Sequence, residues 1–248
     1  MKKFIFSIAI IVTSLLLGQS ASATDYWIYR WAIMRNSARL STTQATITAK
    51  TLPDKIPWAQ TISYIALYNP DLGLAAGYAE TGVGWQAGGE YCRNLARIKQ
   101  NPIDATCIWY ADEANGHVMS ILAVIPINTP VTIKLIKNTN NTVTATYQWS
   151  INGSIKNLSK VMNVGNWYTG LGQGVLEVEV DTNSLYNDAF WDLPANAKPG
   201  NVHFSFSNMT IPDPNLISFW SSEESYFNIV GAAPYSVVNL DVSAGVKY

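Results

Sequence analysis

Residues Gly174–Asn183 read GVLEVEVDTN. Glu177, Glu179 and Asp181 alternate with Leu176, Val178 and Val180, which is the period of a β-strand. A strand here turns the three apolar side chains to a core and the three carboxylates away from it. Only 13% of the chain is charged, so a run of three acids stands out. It is either a solvated outer face, as antiparallel sheets commonly have, or a functional group. Neighbours on one strand face lie about 7 Å apart, near enough for their titrations to couple.

The same period recurs on both sides. SYIALYN (63–69), GYAETGVGW (77–85), TCIWYADE (106–113), HVMSILAVI (117–125), VTIKLIKN (131–138), TVTATYQWSI (142–151) and NVHFSFSNMTI (201–211) all read as strands. The turn signals EANG, INTP, NTNN, INGS and AKPGN separate them. SLYNDAFWDL (184–193) is compatible with a short helical turn. Many short strands with almost no helical periodicity predict an all-β fold, a sandwich or jelly roll of antiparallel sheets. No repeat or flexible linker divides the chain. The expectation is one domain over 24–248, with 216–248 as a last pair of strands or an extension.

Met1, Lys2 and Lys3 precede an apolar run from Phe4 to Leu17, and Ala21 and Ala23 form a small-x-small site. This pattern predicts a signal peptide over 1–23, cut after Ala23, and a secreted or periplasmic protein. The short n-region points to a bacterial source, which makes the sequons at Asn140, Asn152, Asn157 and Asn208 chance matches. No later stretch is long and apolar enough for a membrane span. A net charge of −1 gives no electrostatic footprint for nucleic acid. In an exported chain the only two cysteines, Cys92 and Cys107, are expected to form a disulfide. His117 and His203 lie in apolar strand patterns and read as structural. No metal or cofactor is predicted, since HExxH, GxSxG and phosphate-loop motifs are absent.

In GYAETGVGW, Tyr78, Glu80, Gly82 and Gly84 share one strand face. Glu80 therefore stands beside a tyrosine on a face thinned by glycine. The glycines either open a groove or mark a bulge. Aromatics make up 12% of the chain, serving a core or a stacking surface. Tyr147 and Trp149 are the candidate stacking residues.

AETGV (Ala79–Val83) resembles the strand that carries the catalytic Gln of the eqolisin glutamic peptidases, where Thr-Gly-Val follows the Gln. LEVEVD (Leu176–Asp181) resembles their strand Ala-Glu-x-x-x-Glu, whose first Glu is the acid/base. GYAETGVGW is also similar to strands of related secreted bacterial proteins. The resemblance spans roughly Thr61 to Met209. It implies a concanavalin-like jelly roll of two curved antiparallel sheets, with the site on the concave sheet. It places Glu177 on the catalytic Glu, Asp181 on the later acid, and Glu80 on the catalytic Gln. The last is a departure. The family's Gln donates a hydrogen bond to the developing oxyanion, which an ionised Glu80 would repel. A protonated Glu80 could donate, at acid pH. A Glu pair also suits glycoside hydrolysis, and Glu177-x-Glu179-x-Asp181 is loosely similar to the laminarinase-type strand, with its acids in a different order.

Three functions stay open. The protein binds an extended extracellular polymer, glycan or peptide, in a groove with Tyr78, Glu179, Asp181, Tyr147 and Trp149 as contacts. Or the groove is hydrolytic, with Glu80 and Glu177 as the catalytic pair. Or the role is structural. Hydrolysis requires the two carboxyls to converge within about 6 Å.

Overall fold

The computed structural model describes residues 27–51, 59–72, 77–86, 105–116, 118–168, 170–183, 202–210, 217–221, 227–232 and 237–244. Apart from a 3-10 turn at Glu113–Asn115, their regular structure is all strand. In chain order the strands are β1 (Trp27–Leu40), β2 (Thr42–Thr51), β3 (Ala59–Tyr68), β4 (Tyr78–Gln86), β5 (Ala105–Asp112), β6 (Ser120–Pro126) and β7 (Val131–Lys137). They continue as β8 (Thr142–Ile151), β9 (Ser154–Asn163), β10 (Gly172–Asn183), β11 (Val202–Thr210), β12 (Ile217–Ser221), β13 (Phe227–Ala232) and β14 (Val237–Ala244). Sheet 1 has the order β12-β1-β10-β3-β4-β5-β6 and sheet 2 the order β13-β14-β11-β2-β7-β8-β9. Every pairing is antiparallel, β1 with β10 and β2 with β7 among them. The expected two-sheet all-β fold is what forms, and the C-terminal strands join both sheets. The helical turn expected over 184–193 lies outside the described residues.

Alternation builds the core between the sheets. Leu176 and Val178 are buried there, as the segment at 174–183 predicts. Ile65, Leu67, Ala79, Val83 and Ile108 of sheet 1 meet Ala45, Ile47, Val131, Ile133, Leu135, Val143 and Ala145 of sheet 2. A polar bridge on β4 and β8 crosses this layer. The hydroxyl of Tyr147 on β8 lies 2.8 Å from Thr81 Oγ1 on β4. Thr81 donates its own proton to the Trp109 carbonyl, so Tyr147 is the donor to Thr81.

Three turns follow the sequence signals. Asn152 and Gly153 both take positive φ between β8 and β9, the requirement of a two-residue hairpin. Asn128 does the same before β7. At the end of β7, Lys137 continues the inward row yet is only 8% exposed. Its Nζ donates to the carbonyls of Asn138 (2.6 Å) and Asn140 and lies 5.1 Å from the Trp167 ring centroid. Burial pushes its pKa down.

β9 closes one end of sheet 2. Lys156 and Lys160 occupy its inner row, opposite Trp149 and Ala145, and Lys160 Nζ sits 4.4 Å from the Tyr110 ring centroid.

Tyr147 supplies the first test. Burial raises its phenol pKa well above the ordinary value, against the smaller opposing effect of the Thr81 hydrogen bond. A raised acid in the folded state contributes stability that is complete below about pH 10, the unfolded phenol value. It is lost as the pH climbs from there toward the folded value. Denaturant titrations from pH 9 to 11 should therefore show the unfolding free energy of the wild type falling faster than that of Tyr147→Phe. The expected difference approaches 1.4 kcal/mol per pH unit; parallel slopes would refute the burial assignment.

Candidate functional site

Part of the outer face of sheet 1 is apolar as well. Ile62, Tyr64, Ala66 and Tyr68, the alternate residues of β3, pack there with Trp109 and Ala111 of β5 and Val175 of β10. This second cluster is buried and has Tyr78, Met119 and Ile121 at its border.

Strand register sorts the face into rows running across the strands. Val175, Ala66, Glu80 and Ala111 form one row on β10, β3, β4 and β5. Its small side chains flank Glu80, which is half-buried. On one side lies the row Gln173–Tyr68–Tyr78. Tyr68 donates to Gln173 Oε1 at 2.8 Å, and the two tyrosine rings are 6.4 Å apart. Tyr78, two residues from Glu80 on β4, donates its phenol proton to Glu80 Oε2 at 2.9 Å. On the other side lies the row Glu177–Tyr64–Gly82–Trp109.

Gly82 makes that second wall possible. Strands two places apart are separated by about 9.6 Å, yet the rings of Tyr64 and Trp109 stand edge to face at 5.6 Å. They close the gap across the one strand between them, where the register partner has no side chain. The backbones are also close. A Cβ on Gly82 would lie 1.9 Å from the Ser63 carbonyl oxygen and 2.6 Å from Tyr64 Cα. The pairing of β3 with β4 runs through Gly82 without a register shift. So Gly82 neither opens a groove nor marks a bulge: the neighbouring backbone and two rings use the space. Trp109 is 1% exposed, and its indole N–H has no hydrogen-bond partner among the described residues. A buried donor left open is a position that water or ligand satisfies.

Glu177 pairs with Tyr64, and Glu80 pairs with Ala66, two residues along β3. Both therefore occupy positions on the same sheet face, two strands and two residues apart, roughly 12 Å between backbones. Glu179 and Asp181 follow at the register of Ile62 and Gln60. The side chains of Glu177, Glu179 and Asp181 lie outside the described residues.

Tyr147 and Trp149 are not on this face. They sit on the inner row of β8 in sheet 2, opposite Ile133 and Val131. Tyr147 is 2% exposed and Trp149 packs against the inter-sheet core. Their alternation with Thr146 and Gln148 is that of a core-facing row, so the expected stacking role is corrected. Tyr64, Trp109 and Tyr68 hold the aromatic positions instead. The signal for them was that both faces of SYIALYN are apolar, which marks a strand covered on both sides.

Cys107 is buried at the register of Gly84 and Val124, and no free cysteine occurs among the described residues. Cys92 and His117 lie outside them. Nor do the described residues contain a group of three or more His, Cys, Asp or Glu side chains suited to a metal.

No protein-family model and no curated protein sequence matches the chain. Among solved structures it is similar to Scytalido-glutamic peptidase with a peptide-based transition state analog, at TM-score 0.50 and 13% identity, covering 88% of this chain and 98% of that one. It is similar to SCP-B, a member of the eqolisin family of peptidases in complex with the tripeptide Ala-Ile-His, at TM-score 0.49 and 12% identity over the same shares. Peanut lectin follows at TM-score 0.30 and 12% identity, over 66% of this chain and 75% of that one. The fold is thus that of the jelly-roll sandwiches. Among them, the likeness to Scytalido-glutamic peptidase is one of fold, at 13% identity.

Removing the freedom at Gly82 tests the wall. Gly82→Ala must part β3 from β4 or displace both rings. Urea titration should show a loss of about 3 kcal/mol, with a changed near-ultraviolet Trp signal; a variant of wild-type stability would contradict the close approach.

Proposed function

We propose that the protein is exported after cleavage at Ala23, folds as one domain, and binds an extended polymer, glycan or peptide, against the outer face of sheet 1. The observation that carries this reading is the half-buried Glu80, hydrogen-bonded by Tyr78 and set in a row of small residues between two aromatic walls. Few placed polar groups in apolar surroundings are the usual make-up of a ligand site, and Tyr78 and Glu80 are its half-buried, accessible members. With Tyr78 on one oxygen, the Glu80 carboxylate has acceptor capacity left for the hydroxyls or amides of a polymer.

One observation favours a second reading, acid-acting hydrolysis. The register sets Glu80 and Glu177 on one face, in the roles that the eqolisin resemblance implies. Glu177 would activate water, and a protonated Glu80 would donate to the oxyanion. The side chain of Glu177 lies outside the described residues, which is why binding is placed first.

The mature protein is to be assayed against cell-wall glycan and an unfolded, carboxymethylated protein, at acid and neutral pH. Binding to one of them is expected to weaken about tenfold, near 1.4 kcal/mol, in both Glu80→Gln and Tyr78→Phe. Unchanged retention in both variants would reject the site. Release of fragments at acid pH that Glu177→Gln abolishes in a folded protein would establish the hydrolytic reading.

The Cys92–Cys107 disulfide belongs to the same proposal. It closes a loop worth on the order of 3 kcal/mol in the chain-entropy account. A thiol reagent in denaturant is expected to find no reactive thiol before reduction and two after it. Two thiols before reduction would remove the bridge.

A further inference from the structure

The outer face of sheet 2 has a character opposite to that of sheet 1. Gln44, Lys134, Thr146 and Ser159 fall in one register row across β2, β7, β8 and β9. Thr46, Thr132, Gln148 and Asn157 form the next. All eight are polar. All but Thr46 line a shallow trough of about 500 Å³. Gln148 Nε2 donates to Asn157 Oδ1 at 3.1 Å, and the hydroxyls of Thr46 and Thr132 are 2.9 Å apart. The exposed side chains of Ile155 and Val161 on β9 flank the rows.

Charge sets this trough apart. Strands β2, β7, β8 and β9 contain not one Asp or Glu; of their lysines, Lys134 lies in the trough and Lys50 continues the outer row of β2, while Lys137, Lys156 and Lys160 belong to the inner row. The chain as a whole is close to neutral, at −1. Basic charge without a local counter-charge is complementary to an anion.

We infer that this trough is a second binding site, distinct from the Glu80 face, for a carboxylate-bearing polysaccharide such as a polyuronate. Lys134, in the trough, pairs with a uronate carboxylate. The amides of Gln44, Gln148 and Asn157 and the hydroxyls of Thr146 and Ser159 take up the sugar hydroxyls. Cross-strand neighbours repeat every 4.8 Å or so, giving a periodic polar floor for a periodic chain. The β2, β7 and β8 backbones are committed to sheet pairing, so the floor presents side chains rather than the free backbone groups a peptide strand needs. It carries no arginine, and the ring of Tyr147 beneath it is buried in the core, which leaves no stacking platform for a nucleic acid.

Affinity electrophoresis of the mature protein through gels with polygalacturonate, neutral dextran or poly-L-glutamate tests the assignment at low salt. Polygalacturonate is expected to retard the wild type, dextran not, and poly-L-glutamate at least tenfold less. Salt should weaken the effect, as screening requires. Lys134→Gln with Gln148→Ala should raise the apparent Kd at least tenfold at an unchanged melting temperature. Asn157→Ala, on the exposed edge strand, should give a partial loss and serves if the double variant misfolds. Glu80→Gln should leave retardation intact, which separates this site from the sheet 1 proposal. No retardation by polygalacturonate, equal retardation by poly-L-glutamate, or loss in Glu80→Gln but not in the trough variants would each overturn the inference.

Discussion

Strand β3 is buried on both faces, and the rest of the molecule is arranged around that fact. Ile65 and Leu67 face sheet 2, while Ile62, Tyr64 and Ala66 face the other way, and all five are nearly inaccessible. A strand of this kind cannot sit at an edge or under open water. It must lie inside a sheet that is covered twice, and β3 has β10 on one side and β4 on the other. The strands bearing Glu177 and Glu80 are therefore its immediate neighbours. An acid in such a setting is conspicuous. The half-buried Glu80 carries its polarity into an aromatic layer, and Tyr78 compensates it with a hydrogen bond.

Gly82 supports the same arrangement from below. Without its vacancy the rings of Tyr64 and Trp109 would stand two strand spacings apart, and β3 and β4 could not approach so closely. Backbone packing and the aromatic wall thus depend on one missing side chain. The Thr81–Tyr147 bridge, one residue along β4, pins the opposite surface of that strand to the second sheet.

Much of the fold was legible because burial is one-sided in most strands. VTIKLIK, TVTATYQWSI and GVLEVEVDT alternate cleanly and became β7, β8 and β10 at nearly the expected bounds. β9 was not foreseen: SIKNLSKVMN is mostly exposed, and only Met162 is fully buried, so no apolar period announces it. β1 and the Thr-rich β2 were missed for want of a clear period or a large apolar row. In the candidate site, Glu80 and Tyr78 were visible as a polar pair on a glycine-thinned face. Trp109 and Tyr64 were not, because alternation cannot rank two apolar faces. Tyr147 and Trp149 drew attention as aromatics among polar residues, although that pattern is what an inward row on a half-solvated strand looks like.

The lysines on the inner row of β9 have a bearing on how copies of this molecule coexist at high density. An edge strand of ten residues is a template on which another chain can extend a ladder. Here a newcomer's own inward residues would be pressed beside the ammonium groups of Lys156 and Lys160, the latter already lodged against Tyr110. Stripping water from those cations without an acid to receive them is unfavourable. The border of sheet 2 thereby discourages fibre growth and does so with side chains that leave its own hydrogen bonding to β8 undisturbed.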